Sequence, residues 1–195
     1  MKFYDDLFAK FSDLDISILI NNVGVMNMGN FDDQTVTEIK DTLDINVLPA
    51  TMLSKKVLPA FLKRKTKSAI INVSSICGLG SMAGNTTYCA SKAYLNFFTE
   101  SIAYELKGRV DIECLMPGVT ATKRAGAHGK SASAISPEDV VKGAFRDLGH
   151  DAMTGGVFSH DIQVPVVSFL VWLMPGLVNL FFLKVWWPMG MKKVD

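Results

Sequence analysis

The sequence predicts an α/β fold built around a parallel sheet. Three short, largely apolar runs lie at residues 16–20, 69–73 and 110–116, and a polar or glycine-containing turn follows each of them. Such runs are typical of strands that are covered on both faces. Helical periodicity fills the intervals between them, as the crossovers of parallel strands require.

The composition describes one globular domain without the charge of a nucleic-acid-binding protein. The chain has 195 residues, of which 49% are hydrophobic and 20% charged, with a net charge of +1. This is enough chain to bury a core, and it gives no basis for nucleic-acid binding. The cysteines and histidines have no metal-ligand spacing, so we expect no metal site and reduced, packing cysteines. They are Cys77, Cys89, Cys114, His128, His150 and His160.

The first strand ends in a candidate ligand-binding turn. Residues 1–14 have the pattern of an amphipathic helix, and the strand at 16–20 is followed by Asn21, Asn22, Val23 and Gly24. Ligands of open α/β sheets bind beyond the carboxyl ends of strands, which would place Asn22 and Gly24 at the crevice. An ordinary strand-to-loop turn explains the same residues equally well.

A long helical segment follows at residues 36–61. Pro49 and Pro59 should bend it or divide it into shorter helices. Asn46 lies within this largely apolar pattern. A mid-helix asparagine is ordinarily a surface residue or a hydrogen-bonding residue of the core.

The second strand leads to the residues that indicate chemistry. Ser75 follows the strand at Ala69–Val73, and a helix beginning near residue 87 carries Tyr88 and Lys92. Four residues apart, Tyr88 and Lys92 share one helix face. An ammonium beside a phenol favours phenolate and lowers the tyrosine pKa from about 10, which makes the phenol a usable acid or base. Ser75 would hold a substrate oxygen against it, although a Tyr-x-x-x-Lys pair alone also occurs by chance.

The third strand is closed by Pro117 and Gly118. Residues 123–135 are small, polar and glycine-containing, and they predict either a loop over a substrate pocket or a plain linker. Ser136 and the proline after it predict the start of a helix that runs to about residue 150. Residues 155–158 are a candidate last edge strand.

Four separated motifs occur in the order found in the short-chain dehydrogenase/reductase family, which the chain resembles over nearly its whole length. They are Asn21–Gly24, Asn46, the Ser75/Tyr88/Lys92 set and Pro117-Gly118. Val23 and the apolar tail are most similar to the microsomal 17β-hydroxysteroid dehydrogenase/3-oxoacyl-CoA reductase subgroup. The resemblance implies the C-terminal portion of a Rossmann-like, doubly wound parallel sheet, with three to four strands and flanking helices, over residues 1–160.

The resemblance also implies roles for individual residues. The implied catalytic residues are Asn46, Ser75, Tyr88 and Lys92, with Asn46 holding a water that links the lysine to solvent. The implied coenzyme-binding residues are Asn22, Gly24, Tyr88, Lys92, Pro117, Gly118, Thr120 and Thr122. The expected coenzyme is NADP, with NAD not excluded. Thr120 stands where the family usually has valine or isoleucine, which leaves the local packing open.

Residues 161–195 form an apolar tail. From residue 162 to residue 183 no side chain is charged. As one helix these 22 residues would rise about 33 Å, close to the hydrocarbon thickness of about 30 Å. Because Pro175 and Gly176 interrupt the run, we expect a kinked hairpin embedded shallowly in a membrane, with Trp172, Trp186 and Trp187 at its interface. The alternative is that the tail packs on the domain, or on a partner subunit, as the wall of an apolar pocket.

The expected activity is the NAD(P)-dependent interconversion of a ketone and a secondary alcohol on a lipid-like substrate, such as a steroid or a 3-oxoacyl-CoA. The expected location is the endoplasmic reticulum membrane, with the domain facing the cytosol and a homodimer possible. The family's glycine-rich pyrophosphate loop is not in the sequence. A truncated, non-catalytic membrane-associated or partner-binding protein is therefore the alternative, and an epimerase or dehydratase on the same scaffold is a third.

Overall fold

The computed structural model describes residues 2–125, 134–186 and 188. Four parallel strands form one sheet in the order β1 (Ile18–Asn21), β2 (Ala69–Val73), β3 (Asp111–Leu115) and β4 (Met153–Thr154). The helices are α1 (Lys2–Ala9), α2 (Val36–Asn46), α3 (Leu48–Phe61), α4 (Thr86–Glu105), α5 (Pro137–Asp147), α6 (Phe158–Leu173) and α7 (Pro175–Phe181). The predicted α/β class and parallel sheet are confirmed, while the division of the chain at residue 160 stays a prediction.

Buried amides align the ends of the strands. Asn21 of β1 pairs in register with Asn72 of β2, and Asn72 pairs with Cys114 of β3. Asn21 Nδ2 donates to Asn72 Oδ1 at 2.8 Å, and Asn72 Nδ2 donates to Thr99 Oγ1 of α4 at 2.9 Å. This chain of hydrogen bonds satisfies polar groups in the core and fixes α4 against the sheet.

The long helical segment divides at Val47, as Pro49 predicts. α2 begins with a capping box, in which the Thr35 hydroxyl accepts from the Glu38 N–H and the Glu38 carboxylate accepts from the Thr35 N–H. Pro49 lies in the first turn of α3, where its missing N–H costs no hydrogen bond. Pro59 lies in the last turn of α3 and does not split it.

Three predicted boundaries are wrong. The N-terminal helix ends at Ala9 rather than near residue 14, and tight turns continue to Leu14, whose N–H donates to the Phe11 carbonyl at 3.0 Å. α5 ends at Asp147 rather than near residue 150. The last strand is Met153–Thr154 and not residues 155–158, because side chains take the next two backbone donors. The Gly155 N–H donates to Asp161 Oδ1, and the Gly156 N–H donates to Thr154 Oγ1.

The apolar tail folds as two helices that are bent against each other. In the part of the chain that the structure describes, no single helix has both the length and the apolar character to cross a bilayer. Only Phe158–Leu173 taken together with Pro175–Trp186 meets those measures, and this pair is bent by 113°. The bend falls at the predicted Pro175 and Gly176. The expectations on Trp187 and on residues 126–133 fall outside the described residues.

The tail is attached to the domain near the ends of the strands. A Cβ on Gly80 would stand 2.2 Å from Val171 Cγ1 of α6, so the two segments touch at a position where only glycine fits. In α7, Asn179 Oδ1 accepts from the Ala83 N–H at 2.7 Å. The tail therefore covers the segment of residues 80–83, which leads from β2 into α4.

Candidate active site

Three of the predicted site residues converge at the carboxyl end of β1. Gly24 follows this strand, Asn46 ends α2 and Lys92 lies in α4. A Cβ on Gly24 would stand 3.3 Å from Asn46 Oδ1 and 3.4 Å from Lys92 Nζ. A side chain at residue 24 would therefore crowd both polar groups, and glycine leaves the backbone open to close approach.

Asn46 is buried and bonded on both sides of its amide. Its Oδ1 accepts from the Val25 N–H at 2.6 Å, and its Nδ2 donates to the Val25 carbonyl at 2.8 Å and to Ser91 Oγ at 2.9 Å. The residue thus fixes the turn after β1 against α4. The core hydrogen-bonding role that the sequence allowed is present, whereas the proton relay stays a prediction.

Lys92 is a buried cation placed beside Tyr88. The side chain is 4% exposed, and Nζ donates to the Val73 carbonyl at 2.8 Å, at the last residue of β2. The same Nζ lies 5.7 Å from the centroid of the Tyr88 ring. At this distance the ammonium interacts favourably with the ring. The one-turn spacing along α4 therefore brings the pair together, as predicted.

Ser75 is buried and begins the short turn Ile76–Leu79. Its Oγ accepts from the Cys77 N–H at 3.1 Å, which caps the turn. The Ile76 N–H donates to the Pro117 carbonyl at 3.2 Å, so the turn after β2 is tied to the segment that follows β3. The structure thereby places Ser75 and Pro117 in adjoining segments.

The remaining predicted coenzyme residues are spread along the same edge of the sheet. Asn22 is exposed. Thr120 forms an isolated parallel bridge with Ile135, and its Oγ1 donates to the Gly118 carbonyl at 3.4 Å. Thr122 is exposed, and its Oγ1 accepts from the Ala125 N–H at 3.3 Å. Both threonine hydroxyls thus bond their own loop.

α6 packs on Gly118, a contact that the sequence did not predict. A Cβ on Gly118 would stand 2.7 Å from Gln163 Oε1 and 2.8 Å from His160 Cδ2. His160 is fully buried, and its Nδ1 bonds the Gly155 carbonyl at 3.3 Å. Burial lowers the pKa of this imidazole, which favours its neutral form. The apolar pattern of the tail carried no sign that these two polar side chains lie at the site.

Two thiols lie next to the two candidate catalytic hydroxyls. Cys77 is partly exposed in the turn that Ser75 caps, and Cys89 is buried directly after Tyr88. The Cys89 thiol holds the pKa of Cys77 below its usual range against the effect of burial, and the Ser75 hydroxyl and the Lys92 ammonium act in the same direction. From the sequence alone, packing is the predicted role of both residues.

A largely apolar crevice of about 660 Å³ lies between the segment of residues 78–83 and α4. Met82, Ala93, Phe97 and Met153 are among its lining residues, and Asn179 of the tail lies at one side. Cys89 lines the crevice, whereas Tyr88, the residue before it, does not. The crevice thus adjoins the candidate site without containing its hydroxyls.

Comparison with known proteins identifies relatives of both the sequence and the fold. The model of the short chain dehydrogenase family matches residues 1–132. The putative steroid dehydrogenase 1 of Caenorhabditis elegans is 31% identical over 172 residues, which are 86% of this chain and 54% of that protein. The human very-long-chain 3-oxoacyl-CoA reductase is 30% identical over 174 residues, or 85% and 54% of the two chains. The chain thus spans about half the length of these curated relatives.

Solved structures give the same fold. The structure of a 7β-hydroxysteroid dehydrogenase has a TM-score of 0.79 at 22% identity and covers 93% of this chain and 71% of its own. A short-chain dehydrogenase from Sphingobium yanoikuyae in complex with NADPH has a TM-score of 0.66 at 27% identity, with 74% and 58% covered.

Proposed function

The chain belongs to the short-chain dehydrogenase family, and on this premise we propose that it is an NAD(P)-dependent oxidoreductase of a lipid ketone or secondary alcohol. The observation that carries the proposal is the buried Lys92 ammonium. It lies beside the Tyr88 ring and within reach of the backbone of Gly24, at the carboxyl edge of a parallel sheet. A cation held at this edge suits the hydroxyl groups and phosphates of a nucleotide.

The residues present fit the nicotinamide and ribose half of a dinucleotide. Gly24 leaves open the space that a side chain would fill against Asn46 and Lys92. We assign ribose contacts to Asn22, Gly24, Tyr88 and Lys92, and carboxamide contacts to Pro117, Gly118, Thr120 and Thr122. The bound coenzyme would supply or accept the hydride. NADP is the coenzyme we propose, and NAD is the alternative.

The side chains of the site would transfer a proton to or from the substrate and orient it. In the reducing direction the Tyr88 hydroxyl gives its proton to the substrate oxygen, and the Lys92 ammonium stabilises the phenolate that remains. The Ser75 hydroxyl donates a hydrogen bond to the same oxygen. Asn46 is assigned the relay between Lys92 and solvent, because its amide holds the turn at Val25 next to the lysine.

A lipid-like substrate is proposed from the relatives and from the apolar surroundings. Sequence relatives with 30% or 31% identity are named as steroid dehydrogenases and very-long-chain 3-oxoacyl-CoA reductases. The tail helix α6 is mainly apolar in sequence, and it closes over Gly80 with Val171 and over Gly118 with His160 and Gln163. A steroid or a 3-oxoacyl-CoA is the substrate class that we infer.

The exposed face of the tail supports association with a membrane surface. Phe158, Phe169 and Trp172 are 77%, 55% and 76% exposed on α6, and Leu177 is 60% exposed on α7. A large exposed apolar patch marks an interaction site. We propose that the bent pair lies on the endoplasmic reticulum membrane with the domain in the cytosol. Exposed Phe97 and Tyr104 on α4, at 72% and 73%, are offered as the surface of a homodimer.

Coenzyme titration tests the proposal first. We expect isothermal titration of NADPH into the protein to give heat of binding, weaker by at least about tenfold in Lys92→Met, which removes one charged contact. Heat with NADH alone would overturn the choice of NADP. No heat with either coenzyme would overturn the oxidoreductase proposal in favour of the non-catalytic alternative.

Turnover tests the chemistry. We expect Tyr88→Phe to lower kcat on a 3-oxoacyl-CoA or a steroid ketone by at least about a hundredfold, the lower end of what acid-base groups contribute. Tyr104→Phe, on the exposed side of the same helix, is the matched control and should leave kcat unchanged. Retained turnover in Tyr88→Phe would remove this residue from the mechanism.

A further inference from the structure

The crevice beside α4 follows one stripe of that helix. Thr86, Ala90, Ala93, Phe97 and Glu100 line it, and they recur every three or four residues. At 1.5 Å per residue this stripe is about 21 Å long. The volume of about 660 Å³ lies within the range of small-molecule sites, about 300–1,000 Å³. A ligand that fills the crevice must therefore be long, as a single alkyl chain is.

The walls of the crevice suit such a chain. Met82 and Met153 contribute side chains to the lining, and methionine adapts its shape to apolar ligands. The small residues Ala90 and Ala93 leave room along the helix. Phe97, which is 72% exposed, adds an aromatic ring to the same surface. The lining thus offers apolar contacts along most of its length.

The tail closes one side of the crevice with an amide that already has its partners. Asn179 Oδ1 accepts from the Ala83 N–H at 2.7 Å. Its Nδ2 donates to the Pro175 carbonyl at 2.9 Å and to Ser81 Oγ at 3.3 Å. Both ends of this amide are therefore bonded within the protein. The polar group of a ligand must find its partners on α4 instead.

Asn96 of α4 supplies an unused donor. It lines the crevice, is 6% exposed, and its Oδ1 accepts from the Cys114 thiol at 3.5 Å. Its Nδ2 is buried and has no hydrogen-bond partner among the residues that the structure describes. A Cβ on Gly78, which also lines the crevice, would stand 2.7 Å from this Nδ2. Because buried N–H groups nearly always have an acceptor, the amide indicates a ligand oxygen.

Glu100 supplies an acceptor one turn further along α4. It is partly buried and lines the crevice, and no ion pair in the described part of the chain includes it. Residues four apart share a helix face, so Asn96 and Glu100 are neighbours. A carboxylate here repels carboxylate and phosphate groups and favours an ammonium group, which forms a charge-assisted hydrogen bond with it.

We propose that the crevice is a binding site for a long-chain amino alcohol. The ammonium group would pair with Glu100, and the neighbouring hydroxyl oxygen would accept from Asn96 Nδ2. The alkyl chain would follow the stripe of α4 towards Thr86. Tyr88 does not line the crevice, so binding needs neither coenzyme nor turnover and does not depend on the proposed oxidoreductase activity.

Isothermal titration with three amphiphiles of one chain length tests the polar group. The probes are 2-aminododecan-1-ol, dodecylamine and dodecanoate, each used below its micelle concentration. We expect one amino alcohol to bind per chain. Dodecylamine should bind at least about threefold more weakly, because it lacks the hydroxyl, and dodecanoate should give no heat. Glu100→Gln should weaken binding of the amino alcohol at least about tenfold.

Glu105→Gln is the matched control. Glu105 is an exposed residue of the same helix that does not line the crevice, so the affinity should stay unchanged. Tyr88→Phe should also leave it unchanged, which separates this site from the candidate active site. Ala93→Phe should fill the crevice and abolish binding of every probe, and circular dichroism checks the fold of each variant.

Four results would overturn the proposal. The first is dodecanoate binding as tightly as the amino alcohol. The second is full affinity in both Glu100→Gln and a folded Ala93→Phe, which would show that the chains coat the exposed tail instead. The third is loss of affinity in Tyr88→Phe, which would place the ligand at the candidate active site. The fourth is no heat from the folded chain, whether it sediments as a monomer or as a dimer that covers the crevice.

Discussion

Asn46 Nδ2 donates to Ser91 Oγ at 2.9 Å, across the space between α2 and α4. The Ser91 hydroxyl in turn donates to the Tyr88 carbonyl at 2.7 Å. The last residue of one helix is therefore connected to the backbone of the candidate acid-base residue on the other.

Asn46→Ala should destabilise the protein strongly. The change removes three hydrogen bonds and leaves the Val25 N–H and carbonyl without those partners in a part-buried turn. We expect a loss of about 3 kcal/mol in the free energy of unfolding, measured with urea. Asn30→Ala is the control, because Asn30 bonds an exposed carboxylate at 3.4 Å, and it should cost less than about 0.5 kcal/mol. Equal losses in both variants would contradict the structural role of Asn46.

Lys92→Met should lower the affinity for NADPH without lowering the stability of the fold. Lys92 is buried with a carbonyl partner, and methionine of similar length removes the cost of desolvating a charge. We expect the midpoint of urea unfolding to stay equal or rise while NADPH affinity falls. Lys67→Met is the control, because the exposed Lys67 pairs with Asp111 at 2.9 Å, and it should change neither measurement. A large loss of stability in Lys92→Met would make this lysine a structural residue.

Glu113 should make the protein less stable as the pH rises. The side chain is fully buried in β3, and neither carboxylate oxygen has a partner among the residues described. Burial is the main cause of a pKa of about 8, and Asp147 and Asp151 add to it. The folded state keeps the Glu113 proton at pH values where the unfolded state has lost it. The stability that the protonated Glu113 contributes is therefore complete below the pKa of this residue in the unfolded chain, and it is lost as the pH rises to about 8.

Urea titrations between pH 5 and 8 measure this effect. One retained proton corresponds to a fall of about 1.4 kcal/mol in the free energy of unfolding per pH unit. Glu113→Gln, which stays neutral, should flatten the slope. Glu38→Gln should flatten a slope of the opposite sign at acid pH, because hydrogen bonds from Thr35 lower the pKa of Glu38 and the stability that this residue contributes is lost as the pH falls. An unchanged slope in Glu113→Gln would mean that Glu113 is ionised in the folded protein.

Gly80→Ala should loosen the tail. The new Cβ would meet Val171 at 2.2 Å, and overpacking of this kind costs about 1–3 kcal/mol. We expect faster hydrogen exchange in α6 and α7. Gly176→Ala is the control, because no atom lies within 4 Å of its Cβ position. In that variant exchange should be unchanged or slower, since alanine favours a helix over glycine. Equal exchange in the two variants would show that the tail does not rest on Gly80.

The sequence predicts elements best where the local pattern is complete. β2 lies where the apolar run 69–73 placed it, and the Ser136 hydroxyl accepts from the Asp139 N–H at 3.1 Å as an N-cap should. Tyr88 and Lys92 meet because helix geometry alone sets their spacing. β4 was misplaced because its end depends on Asp161, six residues beyond Gly155, whose carboxylate takes that backbone donor.

Contacts between segments that are distant in sequence are not predicted by any local sequence pattern. His160 and Gln163 meet Gly118 only because α6 folds back over the segment after β3. In the sequence, Glu113 looks like a solvent-facing position of an alternating strand, yet its side chain is fully buried in a strand that pairs on both of its edges. The close packing of the turn after Ser75 on α4, with Gly78 against the backbone of Lys92, is likewise not revealed by the neighbouring residues in sequence.

α6 rests on two glycines that belong to different loops, Gly80 after β2 and Gly118 after β3. A single helix thus covers both loops, and neither loop can be exposed while α6 stays packed on the domain. Ligand entry between them would be an all-or-none event that depends on the lifting of one element. The frequency of this event would follow how firmly Val171 and His160 are packed, so substitutions in the tail would change the rate of access without altering any of the proposed catalytic side chains.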